Sequence, residues 1–338
     1  MSSIVVTGTG LVTAAGLGHA VLQGALAAGQ SFVRPCSDGS RGSEVSAELL
    51  FWPNEPEWQA MREYAGLGSQ LAVTACQAAL SSALQGASAF NPLRAASVTV
   101  ASDDWTEQAL FDAALAQAAS PRDEARALFE GVEDTFLLRT FRWSIGFGIG
   151  SLTGFQGPSV GVDYPSLDGL SGLCHAVDLI ESGEVDTVLV VGVDTRPRLD
   201  IGMALDGAAR DSQQTALGFG QGAAALIFER SSSAAARGAR PLARLLDCQV
   251  VFVDQLEPTK AGLAGGRSEP REFSSVPALG RLFNATALVD LCLATQWLAS
   301  GAVAGRAASA RAVATEELGV RGAGFAVLET PTEAASSR

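Results

Sequence analysis

Thiols and imidazoles are the side chains here best suited to nucleophilic or metal chemistry, and the sequence holds few of either. There are five cysteines, Cys36, Cys76, Cys174, Cys248 and Cys292, and two histidines, His19 and His175. The cysteines are scattered, form no CxxC pair and lack the histidine spacing that completes a zinc site. They are expected to be reduced core thiols of a cytoplasmic protein, with no metal and no cofactor. Gly8 and Gly10 follow the β-branched run Ile4 to Thr7. This GxG fails as a dinucleotide fingerprint, because Thr13 stands where the third glycine is needed to bring a helix against the strand.

The elements that must position any site are those of a large folded protein. Of 338 residues, 47% are apolar and 17% charged, enough for one large core or two closely packed halves. Asp and Glu number 36 against 23 Lys and Arg, with Lys260 the sole lysine, and the net charge of −13 excludes a phosphate-tracking surface. No nucleic-acid partner is expected. The first charged residue is Arg34, yet the N-terminus has no basic region, and its Gly, Ser, Thr, Gln and His19 interrupt any span of about 20 apolar residues. Neither export nor membrane insertion is expected.

Hydrophobic periodicity predicts a strand over Ile4–Thr7 ending in a tight turn at Gly8 and Gly10, then a helix over Leu17–Ala28. Helices follow over Leu67–Leu84, Glu107–Ala118, Phe136–Leu152, Leu167–Ser182 and Ala285–Leu298. Strands are predicted over Ala95–Ala101, Ser159–Val162, Thr187–Val193, Ala223–Glu229, Leu242–Val253 and Ala323–Leu328, with a loop over Glu257–Pro277. Strand, helix and strand at this spacing imply a parallel sheet covered on both faces. The small-residue stretch Ser231–Gly238 marks the junction of an N-terminal half, 1–235, and a shorter C-terminal half, 236–330, with 331–338 as a tail.

Four segments, taken in order, resemble the β-ketoacyl synthase branch of the thiolase fold. They are IVVTGTGLVTAAG (Ile4–Gly16), QGPSVGVDYPSLDGLSGLCHAVDLIESGEVDTVLVVGVDT (Gln156–Thr195), GFGQGAAALIFERSSSAAARGARPLARL (Gly218–Leu245) and GAGFAVLE (Gly322–Glu329). The resemblance implies an α/β fold of two packed βαβ halves in αβαβα layering, with the second half shortened.

It also implies where condensing chemistry would sit. The family holds the acyl chain on a cysteine at a helix N-terminus, where the helix end lowers the thiol pKa, and stabilises the malonyl-derived enolate with two histidines. Matching Val162-Asp163-Tyr164-Pro165-Ser166-Leu167 to the family's Val-Asp-Thr-Ala-Cys-Ser puts Ser166 at the nucleophile position. A serine there needs a base. His175 lies on the same predicted helix, about 13 Å along the axis and half a turn round it, so it cannot serve. His19 opens the first helix, far in fold order from that turn. The segment between Val253 and Pro277 is too short to carry the family's His-Gly-Thr element, and Arg281 stands where active members place the second histidine.

Gly280-Arg281-Leu282 and the helix ALVDLCLATQWLASGAV (Ala287–Val303) resemble the chain length factors, ketosynthase-like partners that lack the catalytic residues. The resemblance implies a non-catalytic subunit of a heterodimer in type II polyketide or fatty-acyl biosynthesis. Its catalytic ketosynthase partner would also receive the acyl carrier protein. Aromatic-polyketide chain length factors usually carry Gln at the nucleophile position, so Ser166 argues against decarboxylative priming and for a divergent subgroup. Trp105, Gln108, Ala109 and Asp112 share one helical face and are the candidate wall of the acyl tunnel; Asp163, Tyr164 and Pro165 are the candidate subunit interface. Two alternatives stay open: an acyltransferase or hydrolase using Ser166, and a purely structural stabiliser of the partner.

Overall fold

A computed structural model describes residues 3–35, 41–101, 116, 120, 123, 126, 135–162, 168–195, 218–252, 271–280, 282, 284–300, 307–314 and 322–331. Nine strands form the main path of its large sheet: β1 (Ile4–Thr13), β2 (Ala95–Ala101), β3 (Ser159–Val162), β4 (Thr187–Asp194), β5 (Gly222–Arg230), β6 (Ala243–Phe252), β7 (Arg271–Phe273), β8 (Ala307–Ala314) and β9 (Gly322–Glu329). The five principal helices are α1 (His19–Ala27), α2 (Leu67–Ala83), α3 (Trp143–Thr153), α4 (Asp168–Glu181) and α5 (Thr286–Ala299). None of the described helices is long and apolar enough to cross a membrane.

The strands lie in the order β7-β8-β9-β6-β1-β5-β4-β2-β3. Outward from β1, pairing to β5 and then to β4 is antiparallel, and pairing to β2 and β3 is parallel. Outward from β6, the pattern recurs: β9 and β8 antiparallel, then β7 parallel. Two copies of one topology therefore meet where β1 pairs antiparallel with β6, Ile4 opposite Leu245 and Val6 opposite Ala243. Among the described residues the second copy has one strand fewer. No tandem repeat is visible in the sequence; the repetition is in topology. Helices α4 and α5 contact strands of both copies, whereas α2 and α3 pack on the other face of the first.

All ten residues of β1 are buried, and the strand runs straight through Gly8 and Gly10 rather than turning there. The glycines serve close approach. A Cβ on Gly10 would overlap the carbonyl oxygen of Ala75 and lie 2.7 Å from the Ala79 nitrogen. One on Gly8 would meet the Ala79 carbonyl and sit 2.8 Å from the Ala83 Cβ. With glycine on the strand and alanine every fourth residue on α2, the helix backbone rests directly on the sheet. The sequence expectation of a loop across 257–277 is also corrected, because Arg271–Phe273 is a strand paired in parallel with β8.

The short helix Ser231–Ala236 leads to Arg237, which turns back onto the first copy. Its guanidinium holds the buried Glu229 carboxylate through Nε at 2.7 Å and through the second amino nitrogen at 2.6 Å. It also donates to the carbonyls of Ala83 and Ser88 and lies 4.2 Å from the Phe90 ring centre. Glu229 takes a further hydrogen bond from Thr7. The buried charges are thus paired and their hydrogen-bonding capacity is used, the condition under which such a pair is tolerated.

Gly10→Ala is expected to lower unfolding stability by about 3 kcal/mol through overpacking, whereas Gly24→Ala, facing open space on α1, should raise it by up to about 1 kcal/mol. Urea titrations of both proteins measure this. Arg237→Met should cost about 3–5 kcal/mol in the same titration, because Glu229 would be left buried and unpaired.

Candidate functional site

The N-terminal ends of α4 and α5 meet between the two copies of the topology. Three small residues make the approach possible. A Cβ on Gly169, in the first turn of α4, would lie 3.0 Å from the Asn284 carbonyl oxygen and 3.2 Å from Leu288 Cγ. One on Gly192 of β4 would lie 2.8 Å from the same oxygen, and Ala285 presents its backbone Cα at 3.0 Å. Two helix N-termini, each the positive end of its helix dipole, therefore face one region.

A buried carboxylate holds this junction. Asp194, at the end of β4, accepts hydrogen bonds on Oδ2 from the backbone N–H groups of Asn284 at 2.9 Å and Ala285 at 2.8 Å. Its Oδ1 accepts from Asn284 Nδ2 at 2.8 Å, and Nδ2 also reaches the Val193 carbonyl at 3.2 Å. Ala285 has no side chain able to cap α5, so a residue from another element does that work. Burial pushes the Asp194 carboxyl up to about 7, opposed by the N–H donors of Ala285 and Asn284. This pair was not legible as a site in the sequence, since Asp194 and Asn284 are joined only by the fold.

Every residue singled out from the sequence as a site candidate lies outside the described residues: Ser166, Arg281, Trp105, Gln108, Ala109, Asp112, Asp163, Tyr164 and Pro165. Gly169, three residues after Ser166, lies against Asn284, three residues after Arg281. His175 is exposed on α4. His19 opens α1, half-buried, and burial lowers its pKa. Among the described residues no group of His, Cys, Asp or Glu is arranged to hold a metal ion.

A cavity of about 590 Å³ adjoins β2, β3 and α3. Thr99, Ala101, Ser159, Trp143 and Phe147 line it, with the bare backbones of Gly146, Gly150 and Gly161 widening it. Thr99 Oγ1 is buried without a hydrogen-bond partner. Trp143 and Phe147 are 55% and 60% exposed, and Phe141 stacks on Trp143 at 6.3 Å. Large aromatic rings left in water beside an outer strand are unusual for an isolated surface. The alternation of glycine and aromatic residues from Trp143 to Gly150 was the available sequence signal, but it reads equally as a buried helix.

The profile of 3-oxoacyl-[acyl-carrier-protein] synthase III matches residues 169–242, the segment from α4 to the start of β6. Over 105 residues the chain is 35% identical to the pikromycin polyketide synthase component PikAIII of Streptomyces venezuelae, which covers 28% of this chain and 7% of that much longer protein. Solved structures match over nearly the whole chain. The AntDE:AntF assembly, a type II acyl-carrier protein in complex with its ketosynthase, superposes with a TM-score of 0.75 at 14% identity, covering 98% of this chain and 100% of that one. The ishigamide ketosynthase/chain length factor gives 0.73 at 18% identity, again over 98% and 100%. A ketosynthase from module 6 of the bacillaene synthase of Bacillus subtilis 168 gives 0.72 at 11%, over 98% of this chain and 72% of that one.

The chain has the ketosynthase fold.

Asp194 has a measurable signature. Its folded pKa of about 7 lies above the ordinary 3.8, so the folded state binds more protons than the unfolded chain between those values. Its contribution to stability is therefore greatest below about pH 3.8, declines as pH rises toward 7 and is flat above. In Asp194→Asn this decline should be lost, so the wild-type minus variant unfolding free energy should fall as pH rises across 4–8; a pH slope unchanged in the variant would show that Asp194 is not the group responsible.

Proposed function

We propose that this chain is a non-catalytic chain length factor, pairing with a catalytic ketosynthase and shaping the tunnel that receives the growing acyl chain. The observation that carries this reading is the outer strand β3 with its adjoining cavity and the exposed rings of Trp143 and Phe147. A partner sheet added along β3 would cover those rings and close the cavity into a channel. The cavity reaches Ala101, the end of β2, after which the chain continues toward Trp105, Gln108, Ala109 and Asp112. In this reading those four residues set how deep the acyl chain can run, with Asp163, Tyr164 and Pro165 at the subunit contact.

Chemistry supports the same assignment. With Ser166 at the nucleophile position, Arg281 at the histidine position and the chain's two histidines on α1 and the exposed side of α4, the subunit relies on its partner for condensation. A net charge of −13 repels an acidic carrier protein at long range, so the carrier docks on the catalytic subunit. The likeness to the AntDE:AntF and ishigamide assemblies favours a type II polyketide or fatty-acyl system in the cytoplasm.

Co-expression with a Cys-His-His ketosynthase tests the proposal. The two proteins should co-purify, Phe147→Asp should weaken capture about tenfold or more, and Ala109→Phe should shorten the carrier-bound chains seen by mass spectrometry. Unaltered chain lengths in Ala109→Phe would remove the gating role and leave a structural stabiliser. Turnover of malonyl or acyl thioesters by the isolated chain, abolished in Ser166→Ala, would establish an acyltransferase or hydrolase instead.

A further inference from the structure

Four cysteines fall within the described residues, and they divide into two kinds. Cys76 and Cys292 are fully buried, where desolvation raises their pKa far above the ordinary thiol range. Cys174 and Cys248 are only partly buried, and they touch. Cys174 lies in the second turn of α4, Cys248 faces it from β6, and their sulfurs are 3.3 Å apart although 74 residues separate them in sequence. Sulfur atoms at van der Waals contact need only a small side-chain adjustment to reach the bonded separation of about 2.05 Å.

We propose that Cys174 and Cys248 form an oxidisable dithiol, which a small uncharged hydroperoxide converts to a disulfide fastening α4 to the first strand of the second half.

The two thiols are not equivalent. The two sulfurs share one hydrogen bond in which either can be the donor; with Cys174 as acceptor it lowers the Cys174 pKa against the opposing effects of burial and of the Asp178 and Asp247 carboxylates. The same hydrogen bond, with burial, holds Cys248 well above the usual range. Cys174 is accordingly the attacking thiolate. Its sulfur takes the distal oxygen of the hydroperoxide, the O–O bond breaks, and the alkoxide or hydroxide leaves with a proton as alcohol or water. The resulting Cys174 sulfenic acid is attacked by the Cys248 sulfur, the S–S bond forms and water departs with the Cys248 proton. The two thiols lose two electrons and two hydrogens, and the peroxide is reduced by the same two electrons. Asp178 and Asp247 flank the pair, one on each element, so an anionic oxidant such as glutathione disulfide is disfavoured relative to a neutral peroxide.

The cross-link would close a loop of 74 residues, long enough for a marked loss of unfolded-state entropy. This inference stands on the two sulfurs alone and does not depend on the chain length factor reading.

The full chain should be treated with stoichiometric hydrogen peroxide, digested without reduction and mapped by mass spectrometry. The expected product is one peptide pair joining Cys174 to Cys248, lighter than its reduced parents by two hydrogen atoms and released by dithiothreitol. The oxidised protein should melt a few degrees higher than the reduced one, and Cys174→Ala and Cys248→Ala should each abolish that reversible rise. Disulfides confined to Cys36, sulfinic acid at Cys174 without a cross-link, or a cross-link that leaves the melting temperature unchanged would each overturn the proposal. If either alanine variant fails to fold, the peptide map of the wild-type protein decides alone.

Discussion

The backbone of β1 is the point on which the rest of the molecule is built. It pairs with β5 on one edge and β6 on the other, so both topological copies hang from it. Helices press on it from both faces. On one side Ala75 and Ala79 of α2 rest against Gly8 and Gly10. On the other, Cys292 of α5 lies 3.8 Å from the Gly10 carbonyl, and Gln296 donates to Thr9 Oγ1 at 2.6 Å. Interiors pack near crystalline density, so a single methyl group at Gly10 has nowhere to go without displacing a helix. The GxG of the first strand is therefore a packing device between two helix layers.

The same economy of volume makes the junction of α4 and α5. Gly169 and Gly192 admit the Asn284 backbone to a distance that any side chain would prevent. Close approach strands backbone N–H groups away from water, and each stranded group costs on the order of 1–3 kcal/mol if left unsatisfied. Asp194 supplies the acceptors, at the expense of burying a carboxylate, which its raised pKa records. The carboxylate is thus a consequence of the glycines. Once two helix ends are brought this near, something anionic or strongly accepting must complete them.

What could be read from the sequence follows from whether the signal was local. Ala95–Ala101 and Ser159–Val162 are strands with the expected limits, because each is a short run rich in small and β-branched residues that ends at polar residues. The helices at Leu67, Asp168 and Thr286 likewise match their periodicity within a residue or two. Strand β8, AASARAVA, escaped notice because alanine, serine and arginine carry little β preference; its place between β7 and β9 creates the strand. Thr7 to Thr13 was misread for the opposite reason, glycine being a strong local turn signal that tertiary packing overrode. The overall architecture was legible in the resemblance of segments that keep their order. The Asp194–Asn284 and Cys174–Cys248 pairs were not, since each joins residues whose proximity exists only after the sheet has formed.

The outer strand β3 explains why a partner subunit is a physical need under the reading proposed. Soluble proteins blunt an outer strand with lysine, proline or inward-pointing charge, since a free row of N–H and C=O groups recruits other strands. Ser159-Val160-Gly161-Val162 has no charge and no proline within it; Pro158 precedes it. Among the described residues β2 pairs with one of its edges and nothing pairs with the other. Beside it, Trp143 and Phe147 expose apolar area on glycine-rich α3, whose own small residues leave the cavity open. An uncharged outer strand, aromatic rings in water and an unfilled cavity are each unfavourable alone. Under that reading, one act of pairing along β3 would relieve all three, because strand addition would satisfy the backbone, bury the rings and give the cavity a further wall. The tunnel in this reading is a by-product of association, so chain length would be set only in the assembled pair.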